Sequence, residues 1–281
     1  MRIGPREFEW GVRTYVMGVL NVSPDSFSGD GLTTIDAAVA QATRFAREGA
    51  DLLDIGGQST RPGQSRTEAG FDEITADEER ARVIPVIKAV QEALPDMPIS
   101  VDTYKPAVAR SALIAGAHML NDISGFRHDP ALAATAAAFR VPACIMHNQR
   151  GRAGSGDVID DVTAGLRSSM RIAAEAGIAP DMLIADPGFG FGWSPERNIE
   201  MLRRLSELTS LGLPLLVGTS RKSTIGAVLG GVPVADRLFG TAASVALCIA
   251  NGADIVRVHD VPEMKHVALT ADAIVRGWSD G

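Results

Sequence analysis

Asp102, Asn121 and Asp186 stand at the polar ends of short, mostly apolar runs: "PISVD", "HMLND" and "MLIAD". Such runs mark strands buried on both faces of a parallel sheet, and an abrupt polar residue at the tip is a usual ligand position. Two carboxylates and a carboxamide at one mouth suit a flat nitrogen heterocycle, because carboxylates accept from an NH/NH2 edge while a carboxamide both accepts and donates. Any one of these aspartates alone is read equally well as a helix cap at a strand-to-helix junction. Lys222, one of only four lysines, stands in "LLVGTSRKS" (215–223), at the polar end of another apolar run. That stretch is not a phosphate-binding P-loop, which needs glycine directly before its lysine; Arg221 occupies the place. Arg257 and His259 lie two residues apart in a strand pattern, so both side chains turn to one side. Together they resemble a diphosphate clamp, a planar fork of donors beside a second donor. A lone arginine there also fits an ion-pair partner inside a barrel. Asn21 offers a neutral, hard carboxamide oxygen suited to Mg2+, which keeps most of its water and takes one or two protein oxygens plus phosphates; in isolation it is a turn residue.

The elements that must position these residues recur as a short apolar strand, a polar or glycine-bearing turn, an amphipathic segment and the next strand. Eight strands are predicted, at 15–20, 51–56, 98–102, 118–122, 142–147, 182–187, 214–218 and 254–259. Segments rich in Ala, Leu, Arg and Glu at 35–48, 78–94, 105–115, 162–176 and 237–250 are good helix formers. "EGAD" (48–51), "AGAH" (115–118) and "NGAD" (251–254) place a glycine just past a helix and a strand directly after it. Eight such units predict an α/β fold, a (β/α)8 TIM barrel forming a single domain over 1–281 with a short lead-in, 1–14. An open doubly wound sheet is the competing arrangement. In a barrel, reactive groups gather on the loops after the C-terminal ends of the strands. Polar residues fall at all eight such tips, His147 among them. The segments 21–34 and 56–75, after strands 1 and 2, carry Gly, Pro, Ser and Asp and are expected to be lids, with Phe27 and Pro62 as apolar surface for an aromatic co-substrate.

Composition narrows the function. Of 281 residues 46% are hydrophobic and 22% charged, which is ample for a closed core. A net charge of −7 disfavours nucleic acid as a partner, so an anionic ligand must be met by locally placed cations. No run approaches a membrane span, and "MRIGPREFEW" lacks the apolar stretch of a secretory leader, so no membrane partner and a cytoplasmic location are expected. Cys144 and Cys248 sit in apolar runs and read as free buried thiols in a reducing compartment.

Taken together, "MGVLNVSPDSFS" (17–28), "DIGGQSTRPG" (54–63), "ISVDTYKP" (99–106), "AGAHMLNDISG" (115–125), "DPGFGFG" (186–192), "GTSRKS" (218–223) and "RVHDV" (257–261) resemble the dihydropteroate synthase family over nearly the whole chain. The resemblance implies a transferase of folate biosynthesis, a sulfonamide target, that joins 6-hydroxymethyl-7,8-dihydropterin diphosphate to 4-aminobenzoate and releases diphosphate with Mg2+. It implies Thr60, Asp102, Asn121, Asp186 and Lys222 as pterin-binding residues, and Asn21 as the metal ligand. It further implies Arg257 and His259 with Asn21 at the diphosphate, Phe27, Arg61, Pro62 and Ser223 at the aminobenzoate, and a homodimer. Lys222, Asp102, Arg257, His259 and Asn21 would then be the catalytic set.

The chain departs from the family pattern at Gln58, where glutamate is more common, at Trp193, where lysine is common, in the order of "SGDG" (28–31), and after His147 in "MHNQRG" (146–151). Two further readings share the ring-binding residues: a pterin-binding methyltransferase-type barrel and a non-catalytic paralogue.

Overall fold

A strand buried on both faces needs apolar side chains in both directions, and eight segments of this chain satisfy that in parallel. The computed structural model describes residues 1–22, 34–58 and 73–278. Its parallel strands are β1 (Tyr15–Asn21), β2 (Leu52–Gly56), β3 (Ile99–Asp102), β4 (Met119–Asp122), β5 (Ala143–Met146), β6 (Leu183–Asp186), β7 (Leu216–Val217) and β8 (Ile255–Val258). They run in the order β6-β5-β4-β3-β2-β1-β8-β7. Ala185 pairs in parallel with Leu215, at the start of the run that becomes β7, and this joins the two edges into a closed barrel. The (β/α)8 expectation holds, and the open sheet is set aside.

Helices α1 (Ile35–Arg47), α2 (Ala76–Ala93), α3 (Pro106–Ile114), α4 (Ala131–Phe139), α5 (Val158–Glu175), α6 (Pro195–Arg203), α7 (Ser223–Val228), α8 (Leu238–Ala250) and α9 (Val261–Val275) surround it. Several begin on side chains that satisfy their first free N–H groups. Thr34 accepts from Ala37, Thr75 and Glu78 form a reciprocal capping box, and Asp157 and Ser194 cap α5 and α6. The glycines of the repeated signature, Gly49, Gly116 and Gly252, take φ of +96°, +112° and +96°. Each closes its helix in the left-handed region that other residues enter at a cost.

Parity along each strand divides the barrel interior into layers. Toward the N-terminal ends, Tyr15, Met17, Leu52, Met119, Cys144, Ile184, Leu216 and Ile255 form one apolar cluster with Ile3 and Phe8. The segment expected as a plain lead-in therefore has a structural task. Arg2–Ile3 and Arg6–Glu7 pair as a small antiparallel hairpin, and the chain beyond it plugs the bottom of the barrel. Toward the C-terminal ends the inward positions turn polar: Asp54 on β2, Ser100 and Asp102 on β3, Asn121 on β4, Asp186 on β6 and Arg257 on β8. Cys144 and Cys248 are free and buried, as expected. Among the described residues no helix is long and apolar enough to cross a membrane. The two segments expected as lids, apart from their ends, lie outside the described residues.

Phe8 is 2% exposed and sits 4.6 Å, centroid to centroid, from Tyr15. Phe8→Ala is expected to lower the unfolding free energy by about 3–5 kcal/mol, the usual cost of emptying a buried phenylalanine site. Urea unfolding measures it; a loss below about 1 kcal/mol would mean that the plug is not part of the cooperative unit.

Candidate active site

The strand register sets the polar tips level with one another. Gly56 is paired with Asp102, Asp102 with Asn121, and Met146 with Asp186. Asp102, Asn121, Asp186 and Arg257 thus face one mouth of the barrel, and Lys222 reaches it from the turn after β7.

Arg257 lies across the centre of this mouth. Its Nε donates to Asp54 Oδ2 at 2.6 Å and its Nη2 to Asp102 Oδ2 at 2.9 Å. Asn121 Nδ2 donates to the same Asp54 oxygen at 2.9 Å. The ion-pair role considered for Arg257 is therefore present in this structure. Asp54 was missed as a site residue, although its signal was available: "DLLDIG" places one charge inside a buried strand, on the same face as Leu52. That strand interior was read as apolar, and the inward parity of the aspartate was not used.

Burial raises the Asp102 carboxyl to about 7, with repulsion from Asp54, Glu79 and Asp122 adding to it and Arg257 opposing. Burial likewise raises Asp186; the Lys222 charge and a 2.8 Å hydrogen bond from the Gly188 N–H hold it back. Lys222 is pulled down to about 8 by burial, and Asp186 opposes the shift. Burial lowers the Arg257 pKa too, but Asp54 and Asp102 more than offset it. The mouth is therefore a compact set of alternating charges whose protonation is sensitive to a ligand.

Lys222 Nζ donates to the Phe189 carbonyl and lies 4.8 Å from the Phe191 ring centroid. On the opposite side of the lysine in sequence, Ser223 is exposed at the start of α7. Arg221 takes φ +57° and forms a two-pronged pair with Asp260, Nε to Oδ2 at 3.0 Å and Nη2 to Oδ1. That turn explains why adjacent cations do different work: one is held by Asp260 and the other is delivered to the mouth. His259 is half-buried against Ser220, whose hydroxyl accepts the His259 backbone N–H at 3.2 Å and lies 3.0 Å from Nδ1. Asn21 ends β1, half-buried, in register with Gly56. Thr60, Phe27, Arg61 and Pro62 lie outside the described residues.

Among the described residues no three His, Cys, Asp or Glu side chains are grouped to hold a metal. A single carboxamide oxygen such as that of Asn21 fits Mg2+ in its usual enzyme setting, where water and substrate phosphates complete the octahedron.

Two of the sequence departures meet in space. The His147 ring lies 5.8 Å from the Trp193 ring, and the Gln149 N–H donates to the Phe191 carbonyl at 3.1 Å, so the loop after β5 is fastened to the loop after β6. His147 Nε2 is 2.9 Å from Gln149 Oε1, an acceptor, so the neutral imidazole donates from Nε2. Gly165 on α5 makes this possible, because a Cβ there would come 1.9 Å from His147 Nδ1. Of the other two departures, "SGDG" lies outside the described residues, and Gln58 accepts from Lys105 Nζ at 2.5 Å while the same ammonium pairs with Glu79 at 2.5 Å. A neutral amide at 58 avoids placing a second carboxylate beside Glu79.

Residues 17–259 match the family described as pterin binding enzymes. The dihydropteroate synthase of Clostridium beijerinckii is 44% identical over 278 residues, covering 98% of this chain and 100% of that protein. The chain belongs to the dihydropteroate synthase family. A solved dihydropteroate synthase from Clostridium difficile, determined in the presence of pteroic acid, superposes with a TM-score of 0.89 at 47% identity, covering 96% of this chain and 100% of that one. The Xanthomonas albilineans dihydropteroate synthase with 4-aminobenzoic acid superposes with a TM-score of 0.85 at 42% identity, with 93% of each chain covered. Membership of the dihydropteroate synthase family makes the (β/α)8 barrel of this chain a transferase scaffold.

The buried His147 provides a pH test of this arrangement. Burial lowers its pKa from 6.5 to about 4, with Arg127 adding to the shift and the Gln149 hydrogen bond opposing it. The unfolded chain binds this proton below about pH 6.5 and the folded one only near pH 4, so stability falls as pH drops through that window. Between pH 7 and pH 5 the wild type is expected to lose about 2 kcal/mol more than His147→Asn does. Urea unfolding at both pH values measures the difference, and equal losses would contradict a neutral, buried ring.

Proposed function

We propose that this chain condenses 6-hydroxymethyl-7,8-dihydropterin diphosphate with 4-aminobenzoate to give 7,8-dihydropteroate and diphosphate. The observation that carries this is the arrangement of Asp102, Asn121, Asp186, Lys222 and Arg257 around one mouth. Its acceptors and cations answer the two halves of such a substrate, a ring edge rich in N–H donors and a departing anion.

Asp102 and Asp186 accept from the N–H groups of the pterin, Asn121 reads a further edge atom, and Lys222 adds a donor. The bond between the pterin methylene carbon and the diphosphate oxygen breaks with both electrons passing to diphosphate. The positive charge left on carbon spreads into the ring, where the Asp102 carboxylate, once ionised, stabilises it. Arg257 and His259 face the growing negative charge, a preorganised contribution of the kind that dominates many enzyme barriers. The amine nitrogen of aminobenzoate then forms the new C–N bond and gives up a proton. Mg2+ held at Asn21 would neutralise charge on the diphosphate. On family resemblance Thr60 is assigned to the pterin, and Phe27, Arg61, Pro62 and Ser223 to the co-substrate end. No step requires a nucleophilic Ser or Cys, and both free thiols support a reducing, cytoplasmic setting.

We also infer a homodimer. On α8 the exposed positions Phe239, Ala243, Leu247 and Ala250 follow the i, i+4, i+8, i+11 spacing of one helix face. Phe239 is 85% exposed, and Ile274 on the neighbouring α9 is 79% exposed. An apolar stripe of this kind on a globular protein marks an association surface, and a two-fold interface needs only one such face per subunit.

Purified protein incubated with the pterin diphosphate, aminobenzoate and Mg2+ is expected to form dihydropteroate and diphosphate in equal amounts. Lys222→Ala and Asp102→Asn are each expected to reduce kcat/KM by about 100-fold or more, matching the loss of a charged contact in a dry site. Pterin binding without diphosphate release would instead identify a non-catalytic paralogue. In sedimentation equilibrium the wild type is expected at twice the monomer mass and Phe239→Asp at the monomer mass; identical masses for the two would remove this face as the interface.

A further inference from the structure

We propose that Asp54 is a positioning residue for the pterin end of this site, acting through Arg257 and Asn121. The proposal rests on the function argued above and adds to it a residue outside the assigned set. Asp54 stands mid-strand in β2, facing the barrel axis, and is fully buried. Its Oδ2 atom receives both Arg257 Nε, at 2.6 Å, and Asn121 Nδ2, at 2.9 Å. Because Arg257 Nη2 is held by Asp102 at 2.9 Å, two carboxylates on neighbouring strands fix the guanidinium plane. One of them alone would leave that plane free to rotate about the contact.

The effect on Asn121 is directional. An ionised carboxylate only accepts, so Asn121 must turn its Nδ2 toward Asp54, and its Oδ1 points the other way. The carboxamide is thereby set to accept from a ring N–H at Oδ1, and a heterocycle presenting an acceptor there is refused. Asp54 thus selects which edge of a flat ring the site reads.

Packing does not account for this carboxylate. Asp54 Oδ1 and Ser100 Oγ, on register-paired residues of β2 and β3, are buried with no hydrogen-bond partner among the described residues. A buried carboxylate satisfied on one oxygen only is a net cost to folding, which an apolar residue of similar volume would avoid. The charge also bears on Asp102. Arg257 lowers the Asp102 pKa, and Asp54, Glu79 and Asp122 raise it; Lys222 also interacts with the Asp102 charge. Removing the Asp54 charge ends one repulsion and leaves Arg257 undivided, and both changes favour the ionised form of Asp102.

Asp54→Asn, which is nearly isosteric, tests the proposal by three measurements. These are calorimetric affinity for 6-hydroxymethyl-7,8-dihydropterin, the KM of each substrate, and the pH profile of kcat/KM. Pterin affinity and the pterin diphosphate KM are expected to worsen by about tenfold or more, as for a misplaced buried charge partner. The aminobenzoate KM is expected to stay near the wild-type value, and the acidic limb of the profile to move to lower pH. A variant with a lowered Tm but wild-type pterin affinity, KM ratio and acidic limb overturns the proposal. Should Asp54→Asn fail to fold, Asp54→Ser removes the same charge and is read by the same three measurements. An inactive wild type would defeat the proposed function, while the calorimetric comparison would still decide the role of Asp54.

Discussion

The structure is organised around one buried charge pair at the barrel axis, the Asp54 carboxylate against the Arg257 guanidinium at 2.6 Å. Taking either charge out of water alone costs several kcal/mol, so each is tolerable only because the other is present. Their meeting requires β2 and β8 to lie on either side of β1, which the closed order of strands provides. Everything polar at the mouth is referred to this pair. Asp102 shares the guanidinium, Asn121 shares the carboxylate, and Asp186 and Lys222 balance one another close by.

Below the pair, the interior is apolar and sealed by Ile3 and Phe8; above it, the mouth is polar. The boundary is sharp because a strand reverses its facing at every residue, so one polar residue at an inward position is enough to change a layer. The outer faces of the same strands meet the helices and are largely apolar, as at Val16, Leu53, Val101 and Leu120. This division explains how the chain devotes one end of its barrel to stability and the other to chemistry.

Much of this was legible in the sequence. Strands buried on both faces announce themselves as short apolar runs, and the observed bounds of β1, β3, β4 and β6 fall within a residue of the expected ones at each end. Helix ends were legible where glycine or a capping side chain imposes a local conformation, as at Gly49 or Thr75. The residues at the tips could be named because polarity changes abruptly there. Asp54 escaped for the opposite reason: it lies inside a run, and only its parity reveals which way it faces. Its partners are 67 and 203 residues away, so no local pattern contains them. The hairpin at residues 2–7 and the six-residue α7 are too short to show periodicity and depend on tertiary contacts for their existence. The meeting of Trp193 with His147 is likewise a product of loop packing between neighbouring strands.

The plug at the bottom of the barrel has a consequence for synthesis. Ile3 and Phe8 are made well before Leu216 and Ile255, which belong to the cluster that covers them. Such long-range closure is slow and cannot be completed on a growing chain. Phe8 therefore lacks its full cover until β7 and β8 have been made and paired, so the bottom of the barrel cannot close before the sheet does.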